Sequence, residues 1–318
     1  GPNNSQSSRI HVRATIIRDL MQSDGHRDSN SDLDTMLKAQ GIPAMWNVDT
    51  RALVRKVRTH GVLPVSLAVG ETAELPSEAE LLQMALALNY DSIDFVSECS
   101  TPTLIWNPAA NPEAPRIALV DYGIKQSMID RLRERGAGVW VVPASTSAEE
   151  ILKLQPDGIF LANGPGDPAR LDYAVSAVKT LVNEANVPIF GICLGHQLLA
   201  LAGGATTHKM PFGHRGANQP VMEVDTKRLY LTTQNHGYVV DADSIPADYR
   251  VTHINLNDGS VEGLAHVSKR VWGVQWHPEA SPGPTDSYGL FDRFMASIAD
   301  NSHTPYYNSG QSTEVAHA

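Results

Sequence analysis

Cys193 stands where a predicted strand ends and a predicted helix begins, between the glycines of Gly191-Ile192-Cys193-Leu194-Gly195. The apolar run before it is typical of a buried strand, and the apolar residues after it recur at helical spacing. Small neighbours permit a sharp turn that exposes a reactive atom and aims the next backbone N–H at a developing oxyanion. The positive end of a helix also favours an anionic sulfur. The pattern therefore indicates a nucleophilic cysteine, although a cysteine by itself is more often a small buried hydrophobe.

A base for this thiol is offered by His277-Pro278-Glu279, close to the C-terminal end. If the chain is extended there, the imidazole and the carboxylate project to the same side, so that the carboxylate can orient the ring. The ring can then take the proton of a nucleophile and return it. The tripeptide alone is equally typical of a loop, and only its combination with Cys193 predicts a catalytic triad.

Composition narrows the possible functions. The chain has 318 residues and 42% hydrophobic content, which is enough for two cores. Its 25 basic and 35 acidic residues give a formal net charge of -10, which disfavours nucleic acid or an anionic membrane surface as the main partner. Two cysteines cannot build a disulfide framework, and no secretory or membrane-spanning segment is predicted. We expect a cytoplasmic protein, with the mitochondrial matrix as an open alternative.

A change of rhythm divides the chain. Residues 1–112 predict a small α/β domain that ends in a proline-rich linker, and residues 113–300 predict a second domain in which strands and helices alternate. Such alternation indicates a doubly wound, mostly parallel sheet, and the short strands after residue 205 indicate a flanking antiparallel sheet. The polar residues 301–318 are expected to form a disordered tail.

The individual elements follow from periodicity and caps. In the first domain we predict strands over 10–20 and 62–69 and helices over 31–40, 52–60 and 77–88. In the second we predict strands over 117–121, 139–142, 158–162 and 187–192, helices over 124–135, 147–155 and 171–184, six short strands between 221 and 275, and a closing helix around 291–298. Residues 234–238 are predicted to form a polar turn.

Two further groups of residues bear on the site. The turn Asn163-Gly164-Pro165-Gly166-Asp167-Pro168 follows a predicted strand, and beside Cys193 its backbone N–H groups become candidates for an oxyanion hole. His208, His214 and His236 suggest a metal site, but they lack ligand spacing and an accompanying cysteine or carboxylate. No metal site is therefore expected.

Together these motifs resemble the small, glutamine-hydrolysing subunit of carbamoyl-phosphate synthase, a family of class I (triad) glutamine amidotransferases. The resemblance covers nearly the whole chain. The nucleophile and His-Pro-Glu motifs belong to the whole superfamily, whereas the preceding domain and Ser281-Pro282-Gly283-Pro284 favour this family over the amidotransferase units of anthranilate or GMP synthase. The other matching stretches are 49–51, 121–125, 163–168, 191–199, 212–218 and 234–238.

The resemblance implies the roles of individual residues. Cys193 would be the nucleophile, His277 the general base and acid, and Glu279 its orienting partner. The backbone amides of Gly166 and Leu194 would form the oxyanion hole. The implied glutamine-binding positions are Gly164, Gly166, Leu194, Gln197, Asn235, Gly237 and Tyr238.

It also implies a partner. A glutamyl thioester would form and be hydrolysed, and the ammonia would pass to a large subunit that uses ATP and Mg. No cofactor is then expected in this chain, and the product would serve arginine or pyrimidine biosynthesis. Pairing with another synthase and a non-catalytic regulatory role are the alternatives. Family members begin with a further segment that supplies a serine to the glutamine site. No counterpart precedes Ile10, so either the first domain is truncated or another residue takes the place of the serine, and weak glutamine binding is expected.

Overall fold

The computed structural model describes residues 5–21, 31–71 and 74–300. By its internal contacts the chain divides, over those described residues, into two compact units, Gly1–Ile93 and Asp94–Ala318. The division therefore precedes the boundary at 112/113 that was drawn from the sequence. The predicted disordered tail, 301–318, lies outside the described residues.

The first unit contains short helices and one small described sheet. Its helices α1 (Leu33–Ala39), α2 (Thr50–His60) and α3 (Glu78–Ala87) begin at side chains that accept a hydrogen bond from the first turn, and a short 3-10 helix follows at Tyr90–Ser92. Strands β1 (Thr15–Ile16) and β2 (Ala44–Met45) pair in parallel. The three predicted helices are confirmed.

The strand predictions for this unit were largely wrong. Of residues 10–20, only β1 is a strand, and 62–69 has no regular structure. The second segment contains Pro64, and its Val65 and Val69 are mostly exposed. A strand needs a neighbour that accepts its hydrogen bonds, and β-branched residues alone do not provide one.

Within the described residues, the second unit is built on a sheet in the order β3-β5-β4-β6-β7-β12-β11-β10-β8-β9. The middle strands β5, β4, β6, β7 and β12 run parallel to one another, and the pairs from β12 through β11, β10 and β8 to β9 are antiparallel. The strands are β3 (Ile105–Asn107), β4 (Arg116–Asp121), β5 (Gly138–Pro143), β6 (Gly158–Leu161), β7 (Ile189–Ile192), β8 (Thr207–Glu223), β9 (Leu229–Val240), β10 (Tyr249–Asn255), β11 (Val261–His266) and β12 (Val271–Val274). The mixed α/β prediction is confirmed, and the antiparallel strands continue the parallel sheet.

The helices of this unit are α4 (Phe95–Cys99), α5 (Gln126–Glu134), α6 (Ala148–Lys153), α7 (Asp172–Glu184), α8 (Leu194–Gly203) and α9 (Gly289–Ala299), and 3-10 turns occupy Pro168–Arg170 and Ala242–Ser244. Each predicted helix is found within a few residues of its predicted ends. The capping box of Ser147 and Glu150 starts α6. Among the described residues, no helix is both long enough and apolar enough to cross a bilayer.

Two connections differ from their predictions. The linker contains β3, which pairs antiparallel with β5 at the edge of the large sheet. The predicted polar turn at 234–238 is the middle of β9, where His236 lies opposite His214 of β8. Polar residues here alternate between a buried and a more exposed side, so they form a strand with a polar buried face.

Aromatic packing fixes the strands that carry the site. The ring centroids of Phe160 and Phe190, on adjacent strands β6 and β7, lie 5.2 Å apart, and Trp272 of β12 stacks on Phe190 at 5.4 Å. Phe294 of α9 packs against all three rings. This core holds the carboxyl ends of β6, β7 and β12 together, and parallel sheets place their sites at such ends.

Candidate active site

The turn at Cys193 is strained and pinned in place. Cys193 has φ 52° and ψ -101°, a backbone conformation that residues with a side chain rarely adopt, and it directly precedes α8. Its N–H donates to the carbonyl of Val274 at 2.8 Å, and the N–H of Gly195 donates to the carbonyl of Ala162 at 3.1 Å. Hydrogen bonds to the ends of β6 and β12, the two strands that flank β7, thus hold the thiol at the start of the helix.

Close backbone approach explains why glycine follows the elbow. A Cβ on Gly195 would lie 2.2 Å from the carbonyl oxygen of Leu161, so no larger residue fits between α8 and β6. A Cβ on Gly164 would lie 2.3 Å from the carbonyl oxygen of Tyr122 and 2.6 Å from the Leu194 side chain. The loop that contains Gly164 therefore lies against the first residue of α8.

His277 and Glu279 form the hydrogen-bonded pair that the sequence suggested, but on a turn. Residues 278 and 279 form a turn rather than an extended segment, yet His277 Nδ1 lies 2.8 Å from Glu279 Oε1. Both side chains are buried. The other ring nitrogen, Nε2, is buried without a partner of normal hydrogen-bond geometry among the described residues, as is common for a catalytic base before substrate binds.

The charges of the site favour an imidazolium. Burial opposes a charge on His277, but the Glu279 carboxylate and the Cys193 sulfur together raise its pKa well above its usual value. Burial likewise opposes the charge on Glu279, yet the His277 charge and hydrogen bond, together with the Lys125 charge, lower its pKa. Cys193, His277 and Glu279 are therefore electrostatically coupled through the imidazole ring.

Lys125 is a site residue that the sequence analysis did not select. Its Nζ lies 3.2 Å from Glu279 Oε1, and its side chain is 33% exposed. The preceding turn is held by Asp121, whose carboxylate accepts hydrogen bonds from the N–H groups of Gly123 and Ile124 at 2.9 and 2.8 Å. Because this lysine joins the triad across more than 150 residues of sequence, only its place within a matching motif could have indicated it.

A second connection links the thiol to the predicted glutamine-binding positions. Gln197 Nε2 donates to the carbonyl of Tyr238 at 2.8 Å and to Gln275 Oε1 at 3.0 Å. Gln275 Nε2 in turn approaches the Cys193 sulfur at 3.6 Å. Gln275, which was not predicted, therefore connects two predicted positions to the nucleophile.

The remaining predicted positions fall into two groups. Leu194 begins α8, so its N–H has no acceptor within the helix and is available to an oxyanion. Gly166 has φ 92° in the loop after β6, a conformation that suits glycine. Asn235 and Gly237 lie on β9, on the face of the strand that points away from the buried side chain of His236. The structure therefore does not bring the Asn235 side chain into the buried contacts that join Gln197, Gln275 and Cys193.

Comparison with known proteins agrees with this geometry. Residues 118–297 match the family model of the class-I glutamine amidotransferases, and residues 1–67 match that of the carbamoyl-phosphate synthase small chain, CPSase domain. The solved structure of a candidate GMP synthase component from Thermoplasma acidophilum has the same fold over 59% of this chain and 96% of its own, with a TM-score of 0.53 and 23% identity.

Curated relatives define the family more narrowly. The carbamoyl phosphate synthase small chains of Symbiobacterium thermophilum and Salmonella typhimurium are each 42% identical over 92% of this chain and 80% of their own length. That of Listeria monocytogenes is 45% identical over 89% and 76%. The fold and the triad region define a class-I glutamine amidotransferase. Within that class, the chain belongs to the carbamoyl phosphate synthase small chain family, the glutamine-hydrolysing subunit of that synthase.

Replacing Glu279 with Gln should destabilise the fold most between about pH 4.5 and 6.5, the ordinary pKa values of the two groups. The stability contributed by a carboxylate with a lowered pKa is present above its ordinary value and is lost as the pH falls through the folded value. The stability contributed by a histidine with a raised pKa is present when the pH is below its ordinary pKa. This stability is lost as the pH rises through the pKa that the histidine has in the folded chain. We expect a loss of about 3 kcal/mol within this window, because one partner of a buried pair is left alone.

Urea unfolding at a series of pH values measures this difference. Glu150→Gln is the matched control, because it removes an exposed carboxylate that also has a lowered pKa. The control should cost less at every pH. A loss for Glu279→Gln that is constant from pH 3 to pH 9 would show that the pair contributes no charge-dependent stability.

Proposed function

We propose that this chain hydrolyses glutamine through Cys193, His277 and Glu279 and delivers the ammonia to a large synthetase subunit. The observation that supports the proposal most directly is the buried arrangement in which Glu279 holds His277, while the charge of the Cys193 sulfur at the strained elbow acts on the same ring. Such a nucleophile, base and orienting acid perform acyl transfer on many folds.

In the first step the sulfur of Cys193 attacks the side-chain amide carbon of glutamine. The amide oxygen becomes an oxyanion, which the N–H groups of Leu194 and Gly166 are proposed to bind. His277 as imidazolium gives its proton to the departing nitrogen, the carbon–nitrogen bond breaks, and ammonia leaves. A glutamyl thioester then remains on Cys193.

In the second step His277 acts in the opposite direction. The neutral ring takes a proton from water, the hydroxide attacks the thioester carbon, and the carbon–sulfur bond breaks. Glutamate leaves with the sulfur returned to its starting state. Glu279 and Lys125 keep the ring in one orientation during both steps, and Gln197, Asn235, Gly237 and Tyr238 are proposed to hold the substrate with Gly164.

The chemistry of ammonia requires a partner. Like alkyl amines, ammonia is largely protonated at neutral pH, and ammonium has no lone pair with which to attack an acceptor. The product must therefore reach its acceptor without mixing with solvent. We propose that this partner is the large chain of carbamoyl-phosphate synthase, with ATP and Mg used there, in the cytoplasm, for arginine or pyrimidine biosynthesis.

The test is glutamine-dependent formation of carbamoyl phosphate. The chain is purified with its large partner from the source cells and supplied with bicarbonate, MgATP and glutamine labelled with nitrogen-15 in the side-chain amide. We expect labelled carbamoyl phosphate, with unlabelled external ammonium diluting the label little. Glutamate release without carbamoyl phosphate would indicate another synthase as partner, and no glutamate release would indicate a regulatory subunit.

A further inference from the structure

Three buried side chains that could ligate a metal meet outside the triad. Among the described residues, His214 of β8, His236 of β9 and Glu262 of β11 each offer a ligand atom, and these atoms all lie within 4.8 Å of one another. Each side chain is less than 10% exposed. A carboxylate partner for these histidines could not be recognised from the sequence, because Glu262 lies on a strand remote from them. His208, the third histidine considered there, pairs instead with Asp241.

We propose that His214, His236 and Glu262 form a binding site for a divalent transition-metal ion such as Zn²⁺. Each of the two rings is held by an acceptor at one of its nitrogens. His214 Nε2 lies 2.8 Å from Asp258 Oδ2, and His236 Nδ1 lies 2.9 Å from the carbonyl oxygen of Tyr238. Acceptors at these positions fix the proton on the outer nitrogen of each ring and leave a lone pair on the inner one. This is the support that metal-ligating histidines usually have.

The ring of His236 is in a lone-pair conflict with a neighbouring amide. Its Nε2 lies 2.9 Å from Gln234 Oε1, while Gln234 Nε2 donates to Glu262 Oε1 at 2.9 Å. With the ring proton on Nδ1, Nε2 and the amide oxygen present lone pairs to each other. Turning the amide over would move the conflict to the Glu262 carboxylate. A cation between the two lone pairs, such as a metal ion, would relieve the conflict in either arrangement.

The two oxygens of the Glu262 carboxylate differ in their hydrogen bonding. Glu262 Oε1 accepts hydrogen bonds from Gln234 and from Asn255 Nδ2, the latter at 2.8 Å. Glu262 Oε2 is buried and has no hydrogen-bond partner among the described residues. A buried carboxylate oxygen without a partner is costly, and coordination to a cation removes that cost.

Distances within the cluster suit a first-row divalent ion. Two ligands of a tetrahedral zinc, each about 2.0–2.1 Å from the ion, are about 3.3 Å apart. His214 Nδ1 lies 3.6 Å from Glu262 Oε1, and the 2.9 Å between His236 Nε2 and Gln234 Oε1 would let that amide oxygen serve as a fourth ligand. Imidazole with carboxylate favours zinc and its neighbours over magnesium or calcium.

The site would connect strands that are not neighbours in the sheet. β11 and β9 are separated by β10 and β8, and β9 also carries the proposed glutamine-binding positions Asn235, Gly237 and Tyr238. An ion held by all three ligands would therefore stabilise the antiparallel part of the sheet. It would also fix the strand that lines the proposed glutamine site.

The experiment measures metal binding independently of glutamine hydrolysis. The full chain carries Cys193→Ser, so that the thiolate of the triad cannot bind the probe. Co²⁺ is added and its visible d–d bands are recorded, and Zn²⁺ affinity is measured by competition with Co²⁺. We expect one tightly bound equivalent, intense bands typical of tetrahedral coordination, and a higher melting temperature with Zn²⁺.

Two ligand variants and one control identify the site. Glu262→Gln can keep both amide hydrogen bonds and is the variant least expected to disturb folding, and His214→Gln removes a second ligand. Each should weaken Zn²⁺ binding by at least about tenfold, since even losing a supporting partner of a ligand costs about 10–100-fold. His208→Gln, at the surface, should leave the affinity unchanged. Weak six-coordinate Co²⁺ spectra, or an affinity that neither folded ligand variant alters, would overturn the proposal.

Discussion

Cys193→Ser is expected to lower glutamine hydrolysis by at least about 10³-fold. A serine hydroxyl must lose its proton to a base before it can attack, and the site does not offer such a base. Burial lowers the pKa of His277, but the charges of Glu279 and of the Cys193 sulfur raise it, and the Glu279 charge, which favours the imidazolium, remains when the sulfur is replaced. An imidazolium can protonate a leaving amine but cannot take a proton from a serine hydroxyl. Sulfur can react as an anion beside this ring, whereas a hydroxyl remains protonated.

The measurement is glutamate release under saturating glutamine, together with carbamoyl phosphate formation from added ammonium by the complex with the large subunit. Ammonium-dependent synthesis should be retained, because it bypasses Cys193 entirely. Cys99→Ser serves as the matched control, since Cys99 is the chain's other cysteine and lies in α4, outside the triad. Glutamate release by Cys193→Ser within tenfold of the parent would exclude this cysteine as the nucleophile.

The parts of the site that depend on neighbouring residues could be predicted from the sequence. The strand, turn and helix around Cys193 are specified locally, by an apolar run, two glycines and a helical repeat. The pairing of His277 with Glu279 could also be predicted locally. The two residues are so close in sequence that their side chains can form a hydrogen bond in several backbone conformations. The extended conformation assumed for them was wrong, yet the hydrogen bond forms on a turn.

The parts that depend on tertiary contacts could not. Lys125 and Gln275 reach the triad only because β4, β7 and β12 end at the same edge of the sheet. Residues 234–238 were predicted to form a turn because polar residues usually leave the core, but here Gln234 and His236 are buried against Glu262 and His214. A buried polar network has no periodic apolar signal, so hydrophobic patterns do not reveal it.

The same limit explains the first unit. Its helices could be predicted from apolar residues at helical spacing and from signals at their ends, and in the structure Asp32, Asp49 and Ser77 cap them through their own side chains. Residues 62–69 have the composition of a strand, but a strand exists only where another strand pairs with it, which composition does not specify. Local helix signals therefore predicted more of this unit than β-propensity did.

His277→Asn is expected to lower glutamine hydrolysis about as severely as Cys193→Ser, because the two side chains act as one unit. The Asn amide can still donate to Glu279 in place of Nδ1, so the fold should be kept, but no group remains to protonate ammonia or to activate water. Groups that act together in one step give losses that do not multiply.

A double variant measures this coupling. Cys193→Ser combined with His277→Asn should be no slower than the slower of the two single variants, because the first substitution already removes the step in which the second group acts. His208→Asn, a surface histidine, is the matched control, and its effect should simply multiply with that of Cys193→Ser. The rate at which neutral iodoacetamide alkylates Cys193 at pH 7 gives an independent measure of the coupling. His277→Asn should slow this alkylation, because it removes the cation beside the sulfur. If the losses of the two single variants multiply, His277 acts in a step separate from Cys193, and the triad mechanism does not hold.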